Sequence, residues 1–87
     1  MNFFHLIISS PDGNLFEGDV FKLDVRGTEG DLAIMAGHIP FVTSLVNSDC
    51  YIWTDEDTKK KAHTDGGLLT VETDSATLIS GSFEFDE

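Results

Sequence analysis

In Val20-Phe21-Lys22-Leu23-Asp24-Val25-Arg26 apolar and charged side chains alternate from Phe21 to the end. An extended chain turns successive side chains to opposite faces, so Phe21, Leu23 and Val25 fall on one side and Lys22, Asp24 and Arg26 on the other. The segment therefore reads as a strand with one face on a core and one in water. Upstream, Phe4, Leu6 and Ile8 alternate with Phe3, His5 and Ile7, and Ser10-Pro11-Asp12-Gly13 then supplies a type I turn with Pro preset at its second position. The first seventeen residues are expected to form a hairpin, which Glu17-Gly18-Asp19 interrupts before Val20.

Downstream, Gly27-Thr28-Glu29-Gly30-Asp31 is a loop punctuated by glycine, and Leu32-Ala33-Ile34-Met35 is a run of strand length, buried or at an edge, bounded by Ala36-Gly37-His38. Pro40 opens Phe41-Val42-Thr43-Ser44-Leu45-Val46, whose aromatic and β-branched residues favour an extended chain. Asn47-Ser48-Asp49 reads as a turn before Cys50-Tyr51-Ile52-Trp53-Thr54. The wholly polar Asp55 to Lys61 reads as an exposed hairpin tip. Gly66-Gly67 opens Leu68 to Thr73, Asp74-Ser75 turns the chain, and Ala76 to Ser80 returns. Phe83 and Phe85 alternate with Glu84 and Asp86, a pattern that either covers a sheet edge or frays. No window keeps a helical period for three turns, so the expected class is all-β, a sandwich or barrel of short strands.

Eighty-seven residues hold one small domain, spanning 1–87, with 40% apolar residues and room to bury about two-thirds of the unfolded surface. Five Lys and Arg against 16 Asp and Glu give a net charge of −11. That field repels a phosphate backbone, so nucleic acid and anionic lipid are poor partners. The single Cys50 cannot close an internal disulfide, which points to a reducing, intracellular compartment. The apolar N-terminal stretch stops at Ser9-Ser10 and has no basic flank, too short for a signal peptide or a membrane span. No direct membrane insertion is expected.

The chemistry-bearing residues are scattered. His5, His38, His63 and Cys50 show no paired spacing of two to five residues, so no metal site is assigned. No Gly-x-Ser-x-Gly elbow presents a nucleophile, and no catalytic residue or cofactor is expected. The Gly27 to Asp31 loop lacks the Gly-Lys of a phosphate loop and carries two acids, Glu29 and Asp31. Those acids are either solvated or form an acidic knuckle for a basic partner.

Three blocks together resemble a known family: Ser10-Pro11-Asp12-Gly13-Asn14-Leu15-Phe16-Glu17-Gly18-Asp19-Val20; Gly27-Thr28-Glu29-Gly30-Asp31-Leu32-Ala33-Ile34-Met35-Ala36-Gly37-His38-Ile39-Pro40; and Gly66-Gly67-Leu68-Leu69-Thr70-Val71. Their order and spacing are similar to the N-terminal domain of the epsilon subunit of F-type ATP synthases. The resemblance implies a flattened β-sandwich of about ten short, mostly antiparallel strands. It implies a non-catalytic subunit of the central rotor stalk, peripheral on the cytoplasmic face of a bacterial plasma membrane. Its partners would be the gamma subunit, the c-ring and the catalytic head, and its role coupling ion flow to rotation and ATP synthesis. By the family pattern Glu29 and Asp31 face the c-ring, and Ser10, His38 and Thr43 face gamma.

At two places the chain departs from that pattern: Ala36 stands where Pro is common, and Asn47-Ser48-Asp49 replaces a Pro-Gly turn. Family members usually continue into a C-terminal helical hairpin, whereas this sequence stops at Glu87, so the C-terminal helical domain is expected to be absent. A rival reading from another class is a free-standing β-sandwich module that binds a basic protein or a small ligand, for which a concave apolar pocket is expected.

Overall fold

In a computed structural model, which describes residues 2–86, Leu23 and Val25 are buried while Lys22 and Asp24 are half-buried and Arg26 is exposed, as the alternation requires. The described residues form ten strands and no helix. They are β1 (Phe4–Ser10), β2 (Gly13–Val20), β3 (Lys22–Gly27), β4 (Gly30–Met35), β5 (Phe41–Leu45), β6 (Ser48–Trp53), β7 (Lys59–Thr64), β8 (Gly67–Val71), β9 (Ser75–Ile79) and β10 (Phe83–Phe85).

The strands are hydrogen-bonded in the order β10-β7-β6-β3-β5-β8-β9-β1-β2, with β4 on the other edge of β3. Every pairing is antiparallel except that of β1 with β9. The sheet folds over at β3. Its first residues pair with β6 through Lys22↔Trp53, Leu23↔Ile52 and Asp24↔Tyr51, and its last pairs with β5 through Gly27↔Leu45. This gives two facing leaves, β10-β7-β6-β3-β4 and β5-β8-β9-β1-β2. The free ends of the path meet where the Phe16 ring of β2 lies 6.2 Å from that of Phe85 on β10. The extents, 31 × 28 × 24 Å, are those of a slightly flattened sandwich, nearly closed like a barrel.

The core is the inward set of each strand. Leu6 and Ile8 from β1, Leu23 from β3, Ile34 from β4, Ile52 from β6, Leu69 from β8 and Leu78 from β9 are fully buried. Each such side chain contributes about 1.5–3 kcal/mol of transfer free energy, so the period-two pattern that orients them is also what holds the leaves together.

Three boundaries differ from the sequence expectation, each for a physical reason. Glu17-Gly18-Asp19 does not interrupt the strand: it lies inside β2, paired with Ile7, Leu6 and His5. Glu17 and Asp19 point to water, Gly18 sits over the Phe16 ring, and Val20 closes β2 as a buried residue. The break falls at Phe21, whose N–H donates to the Trp53 carbonyl at 2.7 Å. The Asp55 to Lys61 tip is shorter than expected, because the lysines join β7. There Lys59 lies over the rings of Tyr51 and Trp53, at 4.7 and 5.1 Å. Asn47-Ser48-Asp49 is not a full turn, since β6 begins at Ser48 and β5 and β6 follow one another along β3 with a bend at Val46-Asn47. The Val46 N–H reaches the Arg26 carbonyl there at 3.1 Å. Of the alternatives left open, β4 pairs β3 alone and is an edge, and β10 covers the edge of β7 through Phe83↔Thr64 and Phe85↔Ala62.

Candidate functional site

The outer surface of the β5-β8-β9-β1-β2 leaf follows from its register. One row across it reads Val42, Thr70, Thr77, Ile7, Glu17, and the next reads Ser44, Leu68, Ile79, Ser9, Asn14. Val42, Leu68 and Ile79 are 61%, 42% and 51% exposed. Together with half-buried Ile7 and the methyl groups of Thr70 and Thr77, they form an apolar band with no Lys or Arg in either row. Contiguous exposed apolar surface of this kind marks a site of association. Sequence reasoning did not single out these residues, although a signal exists: Leu68-Leu69 and Leu78-Ile79 are adjacent apolar pairs, so one member of each must face away from the core.

The acidic loop borders this band. Gly27 pairs with Gly30, which leaves Thr28 and Glu29 at the tip of the β3–β4 hairpin. Glu29 is exposed. Asp31, also exposed, accepts a hydrogen bond from Arg26 Nε at 2.8 Å, and this contact raises the Arg26 pKa further. Part of the acidity of the knuckle is therefore matched within the hairpin. A hollow lined by Gly27, Glu29, Gly30, Leu32, Phe41, Val42 and Thr43 joins the loop to β5.

The three remaining sequence candidates do not converge. Ser10 ends β1, and its hydroxyl accepts the Asp12 N–H at 3.2 Å and so shapes the β1–β2 turn. Half-buried Thr43 is on the inward side of β5, where it lines the Glu29 hollow rather than the outer band. His38 follows β4, donates from Nδ1 to the Ile39 carbonyl at 2.9 Å and packs on Phe41 with ring centroids 5.0 Å apart. Ile39 beside it is 79% exposed. Thr43 thus joins Glu29 at one end of the leaf, while Ser10 lies on a separate strand at the β1–β2 turn.

The opposite outer surface, on the β10-β7-β6-β3-β4 leaf, is of another character. Lys22, Arg26, Lys59 and Lys61, four of the five basic residues, project from it with Tyr51 and Trp53. Each cation has company: Lys22 with Asp24 at 3.7 Å, Arg26 with Asp31, Lys61 with Asp49 and Asp86 at 3.6 and 3.7 Å, and Lys59 with the two rings. His63 Nδ1 donates to Asp49 Oδ1 at 2.9 Å, and that bond, with Lys61 close by, holds the Asp49 carboxyl below the usual carboxylate range. A trough opens between these pairs, lined by Asp24, Arg26, Asp31, Asp49, Tyr51 and His63 among others. Its lining mixes these charged groups with Val25, Leu32 and Ala33, unlike the predominantly apolar pocket expected of a small-ligand module. Inside the sandwich, burial pushes the Cys50 thiol up to about 12. Among the described residues no group of three His, Cys, Asp or Glu side chains is placed to hold a metal.

A family profile described as the beta-sandwich domain of the ATP synthase Delta/Epsilon chain matches residues 3–86. The chain belongs to that family. Among curated relatives, this delta/epsilon sandwich is 32% identical over 84 residues to the ATP synthase epsilon chain of Clostridium novyi, covering 97% of this chain and 64% of the relative. It is 31% identical over 87 residues to the epsilon chain of Ruminococcus albus, covering 100% and 65%. The chain thus spans less than two-thirds of the length of these curated relatives. In structure it is similar to a chain of the Euglena gracilis mitochondrial ATP synthase, in an assembly of OSCP, F1 and c-ring, with a TM-score of 0.90 at 18% identity, covering 98% of this chain and 54% of that one. It is also similar to a chain of the Tetrahymena thermophila mitochondrial ATP synthase, in a central stalk and c-ring structure, with a TM-score of 0.80 at 12% identity, covering 92% and 64%. No helix among the described residues is long and apolar enough to cross a membrane.

Proposed function

We propose that the chain is a non-catalytic rotor component of an F-type ATP synthase that binds the gamma subunit and the c-ring and couples ion translocation to ATP synthesis. It would work at the cytoplasmic face of a bacterial plasma membrane. The observation that carries this reading is the band of exposed Val42, Leu68 and Ile79, continued by half-buried Ile7, on a sandwich of this family. Such a surface is costly in water and suits a permanent subunit whose neighbour covers it. In this reading the band takes the gamma side; Ser10, His38 and Thr43, which the family pattern also gives to gamma, lie apart from it, with Thr43 beside the Glu29 hollow. The Glu29 and Asp31 knuckle takes the polar loops of the ring, where charge would set register and on-rate more than affinity.

Co-purification of the chain with the gamma subunit of the same organism, alone and within the catalytic head, tests this. Stable association is expected, weakened at least tenfold by Val42→Asp with Ile79→Asp, because each introduces an unpaired charge into a desolvated patch. Substituting His38 or Thr43 should weaken it less. Absence of association at micromolar concentrations would overturn the reading.

A further inference from the structure

At the other rim of the same leaf, His5 is held by two acids at once. Its Nε2 lies 2.9 Å from Glu17 Oε2 and its Nδ1 3.2 Å from Asp19 Oδ1. A neutral imidazole has one N–H and one lone pair, so it can serve only one of two ionised carboxylates and turns its lone pair on the other. Only the imidazolium satisfies both. We propose that His5, Glu17 and Asp19 form a proton-held clamp that fastens β2 to β1 and slackens when His5 gives up its proton.

The position gives the clamp something to control. β2 is the terminal strand of the sheet path, bonded to β1 along one edge, and its Phe16 makes the contact with Phe85 that closes the sandwich. His5 pairs with Asp19, and Glu17 pairs with Ile7 one step along on the same outward face. The other neighbours of His5 bring no cation to compete for the two acids. On β9 it faces Ser75. The backbone N–H of His5 donates to the Asp74 carbonyl, and Ser75 Oγ donates to Glu72, so the adjoining turn adds two more acids. The pKa of His5 is raised above its ordinary 6.5 by the hydrogen bonds to Glu17 and then Asp19. Because the folded-state value is the higher one, the stabilisation is complete below the unfolded value and is lost as pH climbs through the folded one.

Ring-proton NMR titration of the whole chain between about pH 5 and 8 tests the clamp. His5 is expected to titrate above 6.5, and Glu17→Gln with Asp19→Asn should return it to the ordinary value. Amide protection along β2, taken relative to the intrinsic base-catalysed exchange rate at each pH, should fall across the same titration in the parent protein and stay level in His5→Gln. A His5 midpoint at the ordinary value, or one unmoved by the two acid substitutions, would overturn the clamp. So would β2 protection in the parent that changes with pH no more than in His5→Gln. All three readouts are made on the isolated chain, and none depends on its docking.

Discussion

Gly67 is the residue at which the backbone leaves least choice. It opens β8 with φ at +145°, a region L side chains rarely adopt, and a Cβ there would run into the carbonyl of Ile79 on β9. The close approach is what lets β8 enter between Leu45 of β5 and the end of β9. Gly67→Ala therefore meets both strain and a clash. The backbone conformation alone costs about 1–3 kcal/mol, a large share of the stability of a small domain. Urea unfolding should show at least that loss. Gly13→Ala meets no neighbouring atom, though its φ is +122°, so it should pay for strain alone and lose less.

At the scale of elements, the two crossings between leaves at this end, β7 to β8 and β9 to β10, are tied by buried hydroxyls. Thr64 Oγ1 lies 2.8 Å from Ser80 Oγ and 2.7 Å from the Gly66 carbonyl. Ser80 Oγ lies 2.8 Å from the Ser82 carbonyl and accepts the Ser82 N–H at 3.3 Å. Both residues are 1% exposed, so water cannot replace a lost partner. Thr64→Val keeps the shape but strands the Gly66 groups, and should cost about 1–3 kcal/mol by chemical denaturation, whereas Thr58→Val at the exposed tip should cost well under half of that. This network was invisible in the sequence, where Thr64 and Ser80 are sixteen residues apart with no period linking them. The strands themselves were legible because alternation is local: Leu23 and Val25 announce their face whatever lies beside them. The hairpin tip at Glu29 was legible for the same reason, being fixed by Gly27 and Gly30. The apolar band was not, because Val42, Leu68, Ile79 and Ile7 become neighbours only through the lateral register of four strands. Glu17-Gly18-Asp19 misled for the converse reason, since the outer side of a terminal strand tolerates acids that a buried strand would reject.

Over the whole molecule the charge is unevenly spread. Four of the five basic residues share the β10-β7-β6-β3-β4 outer face with carboxylates that match them, so most of the net −11 belongs to the rest of the surface, including the β3–β4 loop and the rim of the apolar band. A basic partner would be drawn toward that side and oriented before contact. Glu29→Lys with Asp31→Lys changes the net charge by four, from −11 to −7, and concentrates the change where the proposed ring contact lies. Exposed ion pairs carry little stability, so the Arg26 to Asp31 bond can be lost with the unfolding curve left in place. What should change is association. In an assembled synthase the double variant is expected to bind its ring side about tenfold more slowly at low salt, to lose most of its salt dependence, and to lower ion-coupled ATP synthesis. Synthesis equal to that of the parent, with the fold intact, would show that the acidic loop takes no part in coupling and leave the apolar band as the docking surface.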